Sequence, residues 1–153
     1  METSEKVLLT ESITNNIEMI KVQLGHSSDL LERELVLPHF NKKVHLIYLD
    51  GINDTSKMEE YILSPIARIS IKEDQSIPSV IDYLRLQVIQ SININTETSR
   101  DKVVNMLLEG NTAIFVEQEA VCLLADTVKW PERSAPEPKA QRTQTGPNIA
   151  FNE

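Results

Sequence analysis

The sequence has a single cysteine, Cys122, and four glycines in 153 residues, and no apolar run near the length of a membrane span. One thiol excludes an internal disulfide framework and fits a reducing compartment. None of the glycines falls in a phosphate-cradling pattern, which removes the nucleotide-binding loops from consideration. A helix that crosses a bilayer needs roughly 20 apolar residues. Neither that nor a signal-peptide core is found, so the chain reads as soluble and cytosolic. Basic residues are short as well: 15 Lys and Arg against 23 Asp and Glu leave a net charge of -8. From Asp126 onward the acids (Asp126, Glu132, Glu137, Glu153) equal the bases (Lys129, Arg133, Lys139, Arg142), so the excess negative charge lies before that point. Nucleic-acid backbones attract basic surfaces, which argues against nucleic acid as a partner. The anionic inner leaflet would repel this body too, so membrane attachment has to come from outside the chain.

Catalytic chemistry is equally sparse. His26, His39 and His45 have no cysteine or carboxylate at metal-site spacing, so no metal and no cofactor are expected. Cys122 sits between Val121 and Leu123 in an apolar stretch and reads as an inert core thiol, not one half of a Cys–His dyad. Asp50 and Asp54 have the residue type for a hard cation, but no further oxygen ligands cluster nearby. They read as a turn residue and a helix cap. Trp130, beside Pro131, reads as an anchor for an extended connector. No catalytic residue is named, and the chain is expected not to be an enzyme.

What is present is an ordinary globular composition, 41% hydrophobic and 25% charged. Residues 1–11 are polar and expected to be disordered. Ile13, Ile17, Ile20 and Leu24 recur at helical spacing behind Ser12, a suitable cap, and Gly25 supplies a stop. That amphipathic helix either packs on its own domain or docks on a partner. Val44 to Leu49 is a short apolar run closed by Asp50-Gly51, a strand and turn. Asp54 can cap a helix running to about Leu63, with Pro65 ending it. Pro78 opens another helix carrying Val80, Ile81 and Leu84. Val88 to Ile94 alternates unevenly and is predicted as a strand. Thr98 or Ser99 then caps a helix bearing Val103, Val104, Leu107 and Leu108, with Gly110 at its end. Ala113 to Val116 and Ala120 to Leu124 flank a polar turn, which predicts a hairpin. From Lys129 four of the seven prolines accumulate, which excludes helix.

The expected fold class is therefore α/β, as two small α/β subdomains joined by a helical linker. The first subdomain, with its N-terminal amphipathic helix, covers 12–76, the linker helix 77–86, and the second subdomain 87–128. A Pro-rich extended connector follows over 129–153.

Several stretches carry a resemblance to a known family. Gly110-Asn111-Thr112-Ala113-Ile114-Phe115-Val116 is similar to a strand opening written SGDTVLLID. Lys129-Trp130-Pro131-Glu132-Arg133-Ser134 resembles GWEERS, Glu137-Pro138 the EP that follows it, and Gly146-Pro147 with Phe151-Asn152-Glu153 the ends of RGPRxGFxE. Upstream, Gly25, Ser27, Ser28, Asp29 and Arg33 resemble GNSSDxxxR, and Tyr48-Leu49-Asp50-Gly51 resembles YIDG. The chain is thereby identified as a member of the GerA family of spore germination receptor A subunits, over about residues 24–153. It departs from the pattern at His26, where the family has Asn, and at Thr145 and Asn148, where the family has basic residues. The role of the element around Gly146-Pro147 therefore does not carry over.

The resemblance implies a cytosolic N-terminal domain followed by membrane helices. The intact protein would work with B and C subunits in the spore inner membrane and respond to nutrients by triggering ion release. It implies a domain used in ligand sensing, or in subunit assembly and signal transmission, with self-association open. Two alternatives stand beside it. One is a module that binds a small nutrient (amino acid, sugar or salt) in a cleft between the subdomains. The other is an ion-channel paralogue of the family. The partner-facing residues expected on the connector are Trp130, Arg133, Glu137, Pro138, Gly146 and Pro147; a ligand site is not named.

Overall fold

The described residues of the computed structural model are 7–130. Helix α1 (Ile13–Gln23) starts where the sequence places it, with the Ser12 hydroxyl accepting from the Asn15 N–H at 3.1 Å. Ile17 and Ile20, three residues apart, face inward together. Gly25 stops the helix at φ +68°, a left-handed value that costs glycine nothing. The segment before it was expected to be disordered up to residue 11, yet it is held from residue 7. Leu9 is buried and its N–H donates to the Thr98 carbonyl at 2.8 Å. The side chain of Asn16 accepts from the Thr10 N–H and donates to the Thr10 carbonyl, both at 2.8 Å. A buried amide that pairs a passing backbone leaves no trace in hydrophobic periodicity, so composition alone misread this segment.

Strands β1 (Leu30–Leu37) and β2 (Lys42–Leu49) form a hairpin, and β4 (Thr112–Val116) and β5 (Cys122–Ala125) form a second one. The fold is mixed α/β as expected, but the strands belong to one five-stranded sheet rather than to separate subdomains. Its order is β1-β2-β4-β5-β3, with β3 at Ile94–Glu97 and every pairing antiparallel. The seam between the expected subdomains is the pairing of Val44–Ile47 with Ala113–Val116. The physical reason lies in the strands themselves. β4 and β5 are buried at every position, so both faces need cover and the strands must sit inside a sheet. The edges go to β1, with its exposed Glu32-Arg33-Glu34, and to the polar Ile94-Asn95-Thr96-Glu97, where charge and polarity discourage further pairing.

Each face of this sheet has its own core. Helices α1 and α5 (Arg100–Leu108) lie over one, where Ile20, Leu107, Ile47, Phe115, Cys122 and Leu124 pack together. The other face carries Val44, Leu46, Ile114, Val116 and Leu123 under two helical segments. The first of these is α2 (Thr55–Met58), a π-helical turn at Glu59–Leu63, then α3 (Ser64–Ala67). The second is α4 (Val80–Tyr83), capped by Ser79, with a π-helical turn at Leu84–Val88.

Two local expectations need correction. Pro65 does not end its helix; it is buried in the first turn of α3. Proline has no N–H, which frees the carbonyl four residues back, that of Tyr61. The Gln90 N–H takes that carbonyl at 2.9 Å, so the broken helical bond becomes a link between the two helical segments. The strand expected over Val88 to Ile94 begins at Ile94 instead. Val88 and Ile89 are buried with the helical layer, where Ile89 N–H reaches back five residues to Leu84 at 2.9 Å. Their apolar pair is helix core, not one face of a strand.

Candidate functional site

Antiparallel register brings one end of the sheet together from distant parts of the chain. Leu30 opposes Leu49, Ile47 opposes Ala113, and Ala125 opposes both Thr112 and Ile94. The loops at that end are Gly25–Asp29, Asp50–Asp54, Gly110–Asn111 and Asp126–Trp130. They contain the Gly25-to-Asp29, Asp50-Gly51, Gly110-Asn111 and Lys129-Trp130 stretches that carry the family resemblance. Residues scattered over a hundred positions thus form one surface.

A buried polar knot ties the loops together. Asn53, only 6% exposed, directs its amide Nδ2 at the Gly110 carbonyl (3.0 Å), Thr112 Oγ1 (2.9 Å) and Thr127 Oγ1 (2.7 Å). The two threonine hydroxyls lie 2.7 Å apart, so one donates to the other. Backbone bonds run beside the knot. The Asp54 N–H donates to the Thr127 carbonyl at 2.8 Å, the Lys129 N–H to the Ile52 carbonyl at 2.9 Å, and Lys57 Nζ to the Val128 carbonyl at 2.9 Å. The start of the connector is therefore stitched to the loop after β2. Gly110 makes this possible: at φ +104° it lies so close to Ile52 that a Cβ would collide with the Ile52 carbonyl oxygen. The first loop joins through the Asp50 N–H, which donates to the Asp29 carbonyl at 2.8 Å.

Around the knot the surface is apolar and acidic. Ile52 (38% exposed) and Leu108 (55%) border a hollow shared with Leu24, Leu49 and Asp50. Trp130, 68% exposed, stands at a larger groove of about 530 Å³ between the end of α5 and strands β3 and β5.

The residues singled out from sequence distribute unevenly. Trp130 belongs to this end of the sheet; Arg133, Glu137, Pro138, Gly146 and Pro147 lie outside the described residues. Asp54 is a helix cap, accepting from the Ser56 and Lys57 N–H groups at 3.0 and 3.3 Å. Asp50 is a turn residue paired through its backbone. Cys122 is fully buried under α5, and that burial pushes its thiol pKa far up, which keeps it protonated and unreactive. The histidines do not converge. His26 and His39 are exposed turn residues at positive φ, and His45 lies on β2 with its Nε2 3.5 Å from a Glu34 oxygen. Among the described residues no group of three or more His, Cys, Asp or Glu is placed to hold a metal ion, and no helix is long and apolar enough to cross a membrane. Asn53, Thr127 and Glu109 carry no signal in the sequence, and Asn111 is visible there only as part of the family-like Gly110-to-Val116 stretch; Asn53 follows a recognisable Asp-Gly turn, but nothing in its neighbours shows that it is buried.

The fold and this loop-bearing sheet end define a mixed α/β domain built on one antiparallel sheet. Comparison makes the assignment specific: the profile of the Bacillus/Clostridium GerA spore germination protein family matches residues 18–153, and the chain belongs to that family. It is 29% identical to "Spore germination protein KA" of Bacillus subtilis (strain 168) over 99% of this chain and 28% of that protein. It is 23% identical to "Spore germination protein GerLA" of Bacillus cereus, over 88% of this chain and 27% of that one. The crystal structure of the N-terminal domain of the A subunit of the Bacillus megaterium spore germinant receptor GerK3 superposes with a TM-score of 0.61 at 25% identity. That match covers 82% of this chain and all of the other. The chain spans under a third of the length of the curated relatives it matches, and it corresponds to the N-terminal domain of a germinant receptor A subunit.

Proposed function

We propose that this domain is an assembly and transmission element of a germinant receptor, and that the loop-bearing end of the sheet is the surface through which it acts. The observation that carries the reading is the convergence at that end. The stretches that resemble the family pattern meet around Asn53, and the connector leaves from the same place, bonded to the body through Thr127, Val128 and Lys129. A rigid joint between body and connector passes force and orientation along the chain; a loose tether does not. Exposed Ile52 and Leu108, beside polar groups that are buried, are suited to a protein contact. The whole protein is read as a spore inner-membrane receptor subunit, anchored by a region outside this chain, with B and C subunits as partners and no catalytic role.

Direct nutrient binding in a cleft between two subdomains finds less support. The seam between the two halves is a strand pairing whose Val44, Leu46, Ile114 and Val116 side chains are fully buried, which leaves no room for a ligand there. The assembly reading is tested by charging the surface without touching the knot. With Ile52→Asp and Leu108→Glu in the full-length protein, the isolated domain should melt as the parent does, while recovery of the other receptor subunits with the tagged A subunit should fall several-fold. Equal recovery from equal amounts of protein would remove this surface from assembly.

A further inference from the structure

Strand β1 is an edge of the sheet, eight residues long, and its outer side is open. The Asp50 N–H, which donates to the Asp29 carbonyl, sets the phase of the ladder between β1 and β2. In that phase Leu31, Arg33, Leu35 and Leu37 exchange their backbone bonds with β2, and the N–H and C=O groups of Glu32, Glu34 and Val36 point outward. All three residues are exposed, and among the described residues no other backbone group bonds to them from beyond the edge. Three donors and three acceptors at strand spacing are a template for one more strand.

A hollow of about 270 Å³ adjoins this edge, between β1 and the first helical segment. Leu35, Leu63, Ile66 and Ala67 supply its apolar lining, and Arg33 and Glu59 stand on its two walls. The hollow is smaller than the roughly 300–1,000 Å³ of a small-molecule site. One wall is the strand itself, so the space suits a side chain that an added strand sends to this face at every second residue.

Charge decides which strand fits. Glu32 is paired with Lys21, and Glu34 lies 3.6 Å from Lys43 Nζ and 3.5 Å from His45 Nε2, all on the face covered by α1. Arg33 alternates to the opposite face, where it lines the hollow and has no ion pair among the described residues. An antiparallel second copy of β1 centred on Glu32, Arg33 or Glu34 would set like charges directly opposite each other, which is unfavourable. The charges that discourage indiscriminate pairing therefore favour a strand with a carboxylate opposite Arg33 and apolar residues on either side of it.

We infer that the open side of β1 binds an extended segment of a partner protein by strand addition. An acidic side chain of that segment meets Arg33, and apolar side chains two residues away flank it, one of them seated against Leu35, Leu63 and Ile66.

The test titrates the isotope-labelled full chain with acetyl-Thr-Val-Thr-Glu-Thr-Val-Thr-amide, which reads the same in both directions and so can pair in either sense. Saturable shifts and slowed deuterium exchange are expected at the amides of Glu32, Glu34 and Val36. The amides of Arg33 and Leu35, already bonded to β2, should change little. Two control peptides leave the protein untouched. One has lysine in place of the glutamate; the other is N-methylated at two adjacent central residues, which removes a donor from each side of the strand. Both should lose about tenfold or more in affinity. In Arg33→Glu the order of the glutamate and lysine peptides should reverse. No shift at the three amides, equal binding of the N-methylated peptide, or an unchanged preference in Arg33→Glu overturns the inference. Protection of the three amides before peptide is added overturns it too: if it fades on dilution, a second copy holds the edge, and if it persists, another part of this chain does. Ile52 and Leu108 enter none of these readouts, so the inference fails independently of the assembly reading.

Discussion

Replacing Gly110 by alanine is expected to lower the unfolding free energy by about 3 kcal/mol, through backbone strain and a forced shift of the neighbouring loop. Two effects add at this position. The left-handed φ of +104° lies outside what an alanine adopts comfortably, and the new Cβ would run into the Ile52 carbonyl. That carbonyl is a backbone atom in use, since it accepts from the Lys129 N–H at 2.9 Å, so it cannot swing away without releasing the connector. The Gly110 carbonyl itself accepts from Asn53, and moving it disturbs the knot as well. A substitution at Gly25 or Gly51 meets open space instead and carries only the cost of its φ. Urea denaturation of the three alanine variants should therefore rank Gly110 well below the other two. Equal losses at all three would show that the close approach at Ile52 contributes nothing.

Asn53→Ala is expected to cost about 2–3 kcal/mol, because it removes a buried donor group and leaves its acceptors unpaired. The Nδ2 has two hydrogens for three acceptors, so one of its bonds is shared, and the threonine hydroxyls bond each other, while the buried Asn53 Oδ1 has no partner among the described residues. After the substitution the Gly110 carbonyl loses its side-chain partner in a space too tight for easy rehydration. The loss should be local as well as global. Asp54 and Lys129 donate the backbone bonds that fasten Thr127 and Ile52, and their amides should exchange with deuterium faster than those of β4, which the knot touches only at Thr112. Uniform acceleration across the sheet would mean that Asn53 stabilises the core in general rather than the joint.

Much of this arrangement is legible in the sequence. The cap at Ser12, the stop at Gly25, the helix ending at Gly110 and the hairpin after it follow from local chemistry, and all are where that chemistry puts them. The division of the chain was not legible, because periodicity says that Val44–Leu49 and Ala113–Val116 are buried strands but not that they pair with each other. Pro65 misled for a related reason. Its effect on the helix depended on a donor, the Gln90 N–H, that arrives from a distant segment. Asp54 as a cap and Cys122 as a core thiol are legible because a cap and an apolar core position are decided by immediate neighbours. The role of Asn53 is invisible in the sequence because an asparagine near a turn looks the same whether it faces water or enters a buried network.

The assembly account is tested most directly by the germination response of spores that carry the full-length protein with Ile52→Asp and Leu108→Glu. The amounts of receptor should be matched to the parent, and the isolated variant domain should first be shown to melt normally. The expected result is a several-fold slower nutrient response with the domain folded and present. A response equal to the parent's would contradict the proposal that this end of the sheet passes the signal on.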